Sequence, residues 1–238
     1  MAKLYVFGDS YSTPGFCVGP QDSWWGLLAR AIGHKIEGVD NYSWPGNNID
    51  SIGHVIVANQ DLFQPDDYLV IGIPPIERMT VFDPAARAKQ VVKFDPLLKE
   101  VERVMVPRHE SLGQLTAHQL DRAIVDLWNR SWQEAQVLRG ILTLAAYIEK
   151  ITTRYMFLNL AEPLQPPTQW SVLESLQQQA KAHPQMIIFE DTYYSVNFNV
   201  NKPADFETHG WFGHQGPIGN KHWFDTVLSS KLKQLQWI

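Results

Sequence analysis

The chain lacks the features that would commit it to a disulfide scaffold, a membrane or a nucleic acid. Its 238 residues include one cysteine, Cys17, which excludes an intrachain disulfide and offers no cysteine cluster for zinc. One cysteine is compatible with a reducing compartment. No apolar run approaches transmembrane length, and no repeat or low-complexity tract interrupts the sequence. The 20 basic and 25 acidic side chains are interspersed rather than blocked, for a net charge of -5. That balance leaves no electrostatic footprint for nucleic acid or an anionic bilayer, so neither is expected as a partner. Strand-like sequence begins at residue 3 or 4 with no leader-like segment before it. The expectation is a chain neither exported through Sec nor inserted in a membrane.

What is present is an ordinary globular composition, 45% hydrophobic and 19% charged, in a chain long enough for a sizeable core. Nine tryptophans are many. Burial habits place most in the core, with a few available to line a sugar- or acyl-binding surface.

Hydrophobic periodicity gives alternating strands and helices. Leu4–Phe7 reads as a buried strand, followed by a Gly/Pro-rich loop. A helix capped by Asp22 or Ser23 then carries Trp24, Leu27, Leu28 and Ile32 on one face and stops at Gly33. Asn41–Asn48 is turn-rich and opens a helix through Ile49, Ile52, Val55 and Ile56. Further strands are expected at Asp67–Gly72, Tyr155–Asn159 and Met186–Phe189. Leu138, Ile141, Leu142, Ala145 and Ile148 recur at helical spacing, and a last helix runs from Gly219 or Asn220 to Gln236. The charged segment at about 87–130 reads as a helical insertion or cap within a single domain, 1–238. This alternation argues an α/β fold with a parallel, doubly wound sheet.

Three short segments fall where the carboxyl edge of such a sheet would gather them. Phe7-Gly8-Asp9-Ser10 ends the first strand in a tight turn, in which glycine would relieve Cβ strain, and leaves a serine hydroxyl at the edge. Pro45-Gly46-Asn47-Asn48 offers backbone N–H groups and carboxamides suited to an oxyanion. Gly213-His214-Gln215-Gly216-Pro217 sets a histidine just ahead of the last helix, where it could reach back to a serine as base. Asn48 has a second reading as the cap of the helix it precedes. Arg78 could bind a substrate carboxylate or pair in the neighbourhood of Glu77.

On these three blocks, over nearly the whole chain outside 87–130, the sequence resembles the SGNH, or GDSL-type, hydrolases. The resemblance implies a three-layer α/β/α sandwich with a mostly parallel sheet of flavodoxin-like topology. It implies Ser10 as nucleophile and His214 as base, with the oxyanion held by the N–H groups of Ser10 and Gly46. Asp9 is then structural. The activity implied is carboxylic ester hydrolysis through an acyl-enzyme, with no metal or organic cofactor. Small-molecule esters or O-acetyl groups on carbohydrate are the substrates in view. Two departures stand out. The third block, which should read Gly-x-Asn, is Gly72-Ile73-Pro74, and proline offers neither N–H nor amide. Asn48 is the replacement donor, with Asn47 as fallback. Three residues before His214 stands Trp211 rather than aspartate. Asp191, Asp205 and Glu207 are the candidate acids, a Ser–His dyad the alternative. A catalytically impaired module that binds carbohydrate or a protein partner is the rival reading. The absence of an export signal suits a cytoplasmic or phage-encoded modifying enzyme.

Overall fold

A parallel strand covered on both faces needs apolar side chains at odd and even positions alike. The computed structural model describes residues 2–13, 19–76, 78–83, 88–95, 100–105, 130–161, 171–187, 192–193 and 216–238. In it β1 (Leu4–Phe7) is buried along its whole length. Leu4 and Val6 belong to one apolar cluster, Tyr5 and Phe7 to another. The two clusters are the two sides of one sheet.

The chain continues through α1 (Trp24–Ala31), β2 (Val39–Asn41), α2 (Ile49–Ala58), β3 (Tyr68–Ile73), β4 (Arg78–Asp83), β5 (Ala88–Asp95) and β6 (Glu100–Met105). Then come α3 (Arg130–Ile148), β7 (Tyr155–Asn159), α4 (Ser171–Ala182), β8 (Met186–Ile187) and α5 (Pro217–Trp223), joined by a π turn, Phe224–Leu228, to α6 (Ser229–Gln234). Five strands form a parallel sheet in the order β2-β1-β3-β7-β8. That is the flavodoxin-like order, whose switch point lies between β1 and β3.

Register keeps the two faces separate across the sheet. Val6 pairs with Val70 and Val70 with Met156, and all three face α1, the π turn and α6. Phe7, Ile71 and Phe157 align in the same way and face α2, α3 and α4. Helices thus cover both faces, and the expected three-layer α/β/α sandwich is the observed one. Ser23 caps α1 as expected, its Oγ accepting from Gly26 N–H at 3.0 Å. Trp24 and Trp223 meet edge to face, centroids 6.5 Å apart, and close the core between α1 and α5. Among the described residues no helix is long and apolar enough to cross a membrane.

The helical insertion expected at about 87–130 is corrected where it is described. Residues 88–95 and 100–105 are strands, which join β4 in an antiparallel sheet ordered β4-β5-β6. The charged sequence that suggested a helical insertion lies instead in strands whose backbones pair antiparallel. Its register sets Lys93 opposite Glu102 and Phe94 opposite Val101. Residues 106–129 of the segment lie outside the described residues. The short β2 and the helix α4 were not foreseen.

Leu158 is wholly buried in the cluster that packs on α1. Leu158→Ala should therefore cost about 3 kcal/mol in urea unfolding, since the centre of a two-sided sheet has little freedom to collapse onto the cavity.

Candidate active site

Beyond the carboxyl ends of β1 and β2 the chain forms two turns that are bonded to each other. The first follows Phe7. Asp9 is fully buried, and its carbonyl accepts from Ser12 N–H at 3.0 Å and from Thr13 Oγ1 at 2.9 Å. Its Oδ1 accepts from Tyr11 N–H at 3.1 Å, an Asx turn that fixes the backbone on both sides of Ser10. Ser10 retains 6% exposure at the rim of this turn.

Gly8 serves here by its lack of volume. Positive φ among the described glycines is confined to Gly33 and Gly46. A Cβ on Gly8 would lie 2.5 Å from Ser12 Oγ, and one on Gly72 would lie 2.7 Å from the same atom and 2.6 Å from Leu160 Cδ1. Ser12, wholly buried, is thus packed between the ends of β1 and β3 in space that only two glycines leave open. Gly72, within β3, thus makes room for the first turn.

The second turn spans Trp44–Asn47. Asn47 N–H donates to Trp44 C=O at 3.1 Å, with Pro45 and Gly46 between them and Gly46 at φ +85°. Proline followed by a left-handed glycine is the type II signature. This turn is fastened to the first at one atom. The Gly8 carbonyl accepts from Trp44 N–H at 3.2 Å and from Asn47 Nδ2 at 2.9 Å. Asn48 caps α2, its Oδ1 accepting from Ser51 N–H at 2.9 Å. The cap uses the carboxamide oxygen, whereas an oxyanion would use the amide hydrogens.

Arg78, at the start of β4, joins both turns. Its Nη1 donates to Asp9 Oδ2 at 2.6 Å and to the Asn47 carbonyl at 3.2 Å. The ion partner of Arg78 is Asp9, 69 residues away in the chain, which neither expectation named; Glu77 lies outside the described residues.

A cavity of about 540 Å³ opens against Asn48 and Arg78, between α2 and α3, walled further by His54, Trp132, Gln136 and Tyr147. Trp132 is 52% exposed there, and Trp44 in the second turn is 61% exposed. Trp24, Trp25 and Trp223 are core residues, so these five described tryptophans divide between core and surface. Ser10, Gly46, Asn48 and Arg78 are thus all carried at one edge of the sheet. His214 and the candidate acids Asp191, Asp205 and Glu207 lie outside the described residues. Gly216, two positions after His214, is the N-cap of α5, and its carbonyl accepts from Asn220 Nδ2 at 3.2 Å.

The chain is therefore of the three-layer α/β/α class, with paired turns at the carboxyl edge of its sheet. No protein-family model and no curated protein matches the sequence. Among solved structures the fold is similar to that of TesA, at 15% identity and a TM-score of 0.50, over 98% of this chain and 99% of that one. It is also similar to the extracellular lipase of Streptomyces rimosus, at 13% identity and TM-score 0.49 over 97% and 100%. A member of the lipolytic protein G-D-S-L family from Veillonella parvula matches at 13% identity and TM-score 0.46 over 99% and 98%. At these identities the likeness is one of fold.

Gly72→Ala tests the packing at this edge. Forcing a Cβ against Ser12 and Leu160 should cost about 1–3 kcal/mol in chemical denaturation, despite the better strand propensity of alanine.

Proposed function

We propose that the chain is a serine hydrolase of the SGNH type, acting as one domain, that cleaves carboxylic esters. The observation that carries this reading is the joining of the two turns. The serine that follows Asp9 and the left-handed glycine that precedes Asn47 are held to each other through the Gly8 carbonyl, at the carboxyl edge of the sheet where ligands bind. A nucleophile and an oxyanion donor need that fixed relation, because donors pre-aimed at the developing charge require no reorganisation during reaction.

In this mechanism Ser10 Oγ attacks the ester carbonyl carbon while His214 takes the hydroxyl proton. The resulting oxyanion is held by the N–H groups of Ser10 and Gly46 and the side-chain amide of Asn48. Collapse breaks the carbon–oxygen bond to the alcohol, which leaves with the proton from His214, and the acyl group stays on Ser10. Water, deprotonated by His214, then attacks the acyl-enzyme and releases the carboxylic acid. Asp191, Asp205 or Glu207 would orient His214, unless Ser10 and His214 act as a dyad.

The finer substrate reading is an acyl group, such as acetyl, on a carbohydrate. A cavity walled by Trp132, Tyr147 and Gln136 supports it, because ring faces and carboxamides complement the apolar faces and hydroxyls of a sugar. Pro74 at the place of the third-block asparagine favours the rival, a binding module without turnover.

A fluorophosphonate probe separates the two. Wild-type protein should be labelled at one site, with labelling abolished in Ser10→Ala and strongly reduced in His214→Ala; a wild-type protein that no probe labels leaves the binding module. Asn48→Asp should preserve the α2 cap, since aspartate caps as well as asparagine, yet lower kcat by about 10²-fold or more through loss of the amide donor. Unchanged turnover in Asn48→Asp would remove Asn48 from the oxyanion site.

A further inference from the structure

We infer that Arg78 is a positioning residue that sets the distance between the nucleophile turn and the oxyanion turn. The inference rests on the hydrolase reading for the meaning of that distance, and on hydrogen bonds alone for its existence.

The bonds close a ring. From Gly8 the chain runs to Asp9, whose Oδ2 accepts from Arg78 Nη1 at 2.6 Å. The same nitrogen donates to the Asn47 carbonyl at 3.2 Å, and Asn47 Nδ2 returns to the Gly8 carbonyl at 2.9 Å. Ser10 is the residue after one corner of the ring and Gly46 the residue before another. Both N–H groups proposed to hold the oxyanion therefore belong to backbone that the guanidinium anchors. The pair is also sheltered, with Asp9 wholly buried and the Arg78 side chain 11% exposed. A charge-assisted bond of that length in a water-poor site is stiff and poorly screened.

Sequence position explains why an arginine is available. β3 leaves the sheet at Ile73, and Pro74-Pro75 carries the chain away without any side-chain donor toward the site. Arg78 N–H donates to the Pro75 carbonyl at 3.2 Å, which turns the chain back so that the long side chain reaches across the edge. An asparagine at the third-block position would contact the oxyanion itself. Arg78 acts through Asp9 and Asn47, and so shapes the site without touching substrate in this role.

Removing Arg78 alone would strand a buried carboxylate and could unfold the protein. Two other variants avoid that. Arg78→Lys keeps the charge, but its ammonium stops one bond short of Nη1 and cannot hold both acceptors at these distances. The double variant Asp9→Asn/Arg78→Met removes both charges together and leaves none unpaired. Hydrogen exchange and fluorophosphonate labelling of Ser10 are measured on each variant that still unfolds cooperatively. Amides of residues 8–12 and 44–48 should exchange about tenfold faster or more, with those of 155–159 unchanged. Labelling rate and kcat should fall by about 10²-fold with KM little altered, as expected when reacting groups are displaced by a fraction of a bond length. The inference is overturned if the double variant folds with exchange at both turns and labelling rate unchanged, or if exchange rises equally throughout the chain. A wild-type protein that the probe never labels would sink the hydrolase reading instead. The exchange arm would then still decide whether Arg78 holds the turns together.

Discussion

The carbonyl of Gly8 accepts from the Trp44 N–H at 3.2 Å and from Asn47 Nδ2 at 2.9 Å, and much of this molecule is arranged so that those two bonds can form. They require β1 and β2 to be parallel neighbours, so that the loop after β2 emerges beside the turn after β1. That in turn requires a crossover through α1, whose buried Trp24, Trp25 and Leu28 seal one face of β1. The opposite face is sealed by α2, whose N-cap Asn48 follows directly on Asn47. A core interaction and a site interaction are thus separated by one peptide bond. Disturbing either turn propagates to both layers.

The same economy explains the two kinds of glycine at the edge. Gly46 is needed for its dihedral, because a type II turn puts its third residue in the left-handed region. Gly8 and Gly72 are needed for their missing side chains, which leave space for Ser12 between the ends of β1 and β3. The sheet edge is packed like a core although it faces the site. That packing restrains the backbone around Ser10, the preorganisation that the proposed oxyanion site would draw on.

Much of this was legible in the sequence because the signals are local. Leu4–Phe7, Tyr68–Ile73 and Tyr155–Asn159 are continuous apolar runs, as two-sided burial demands, and the Ser23 and Asn48 caps sit where their helices begin. What was missed depends on long-range pairing. Residues 88–105 carry charge at positions that suit a helix surface or one face of a hairpin, and only the partner strand decides between them. The Asp9–Arg78 pair links residues 69 apart, so no window of sequence contains it. Asn47, taken as the lesser candidate beside Asn48, makes the bond that joins the turns, because the type II turn directs its side chain back toward β1. Ser12 carried no signal beyond being small and polar, and its place became visible only through the two glycines that surround it.

The central claim is that Ser10 becomes covalently acylated during turnover. Mixing the protein with p-nitrophenyl acetate, quenching in acid and mapping the peptides by mass tests it most directly. The account predicts a burst of nitrophenol together with a peptide spanning Ser10 that is heavier by one acetyl group, and neither in Ser10→Ala. Steady release of nitrophenol with no acetylated Ser10, or an acetyl group on a different side chain, would contradict it.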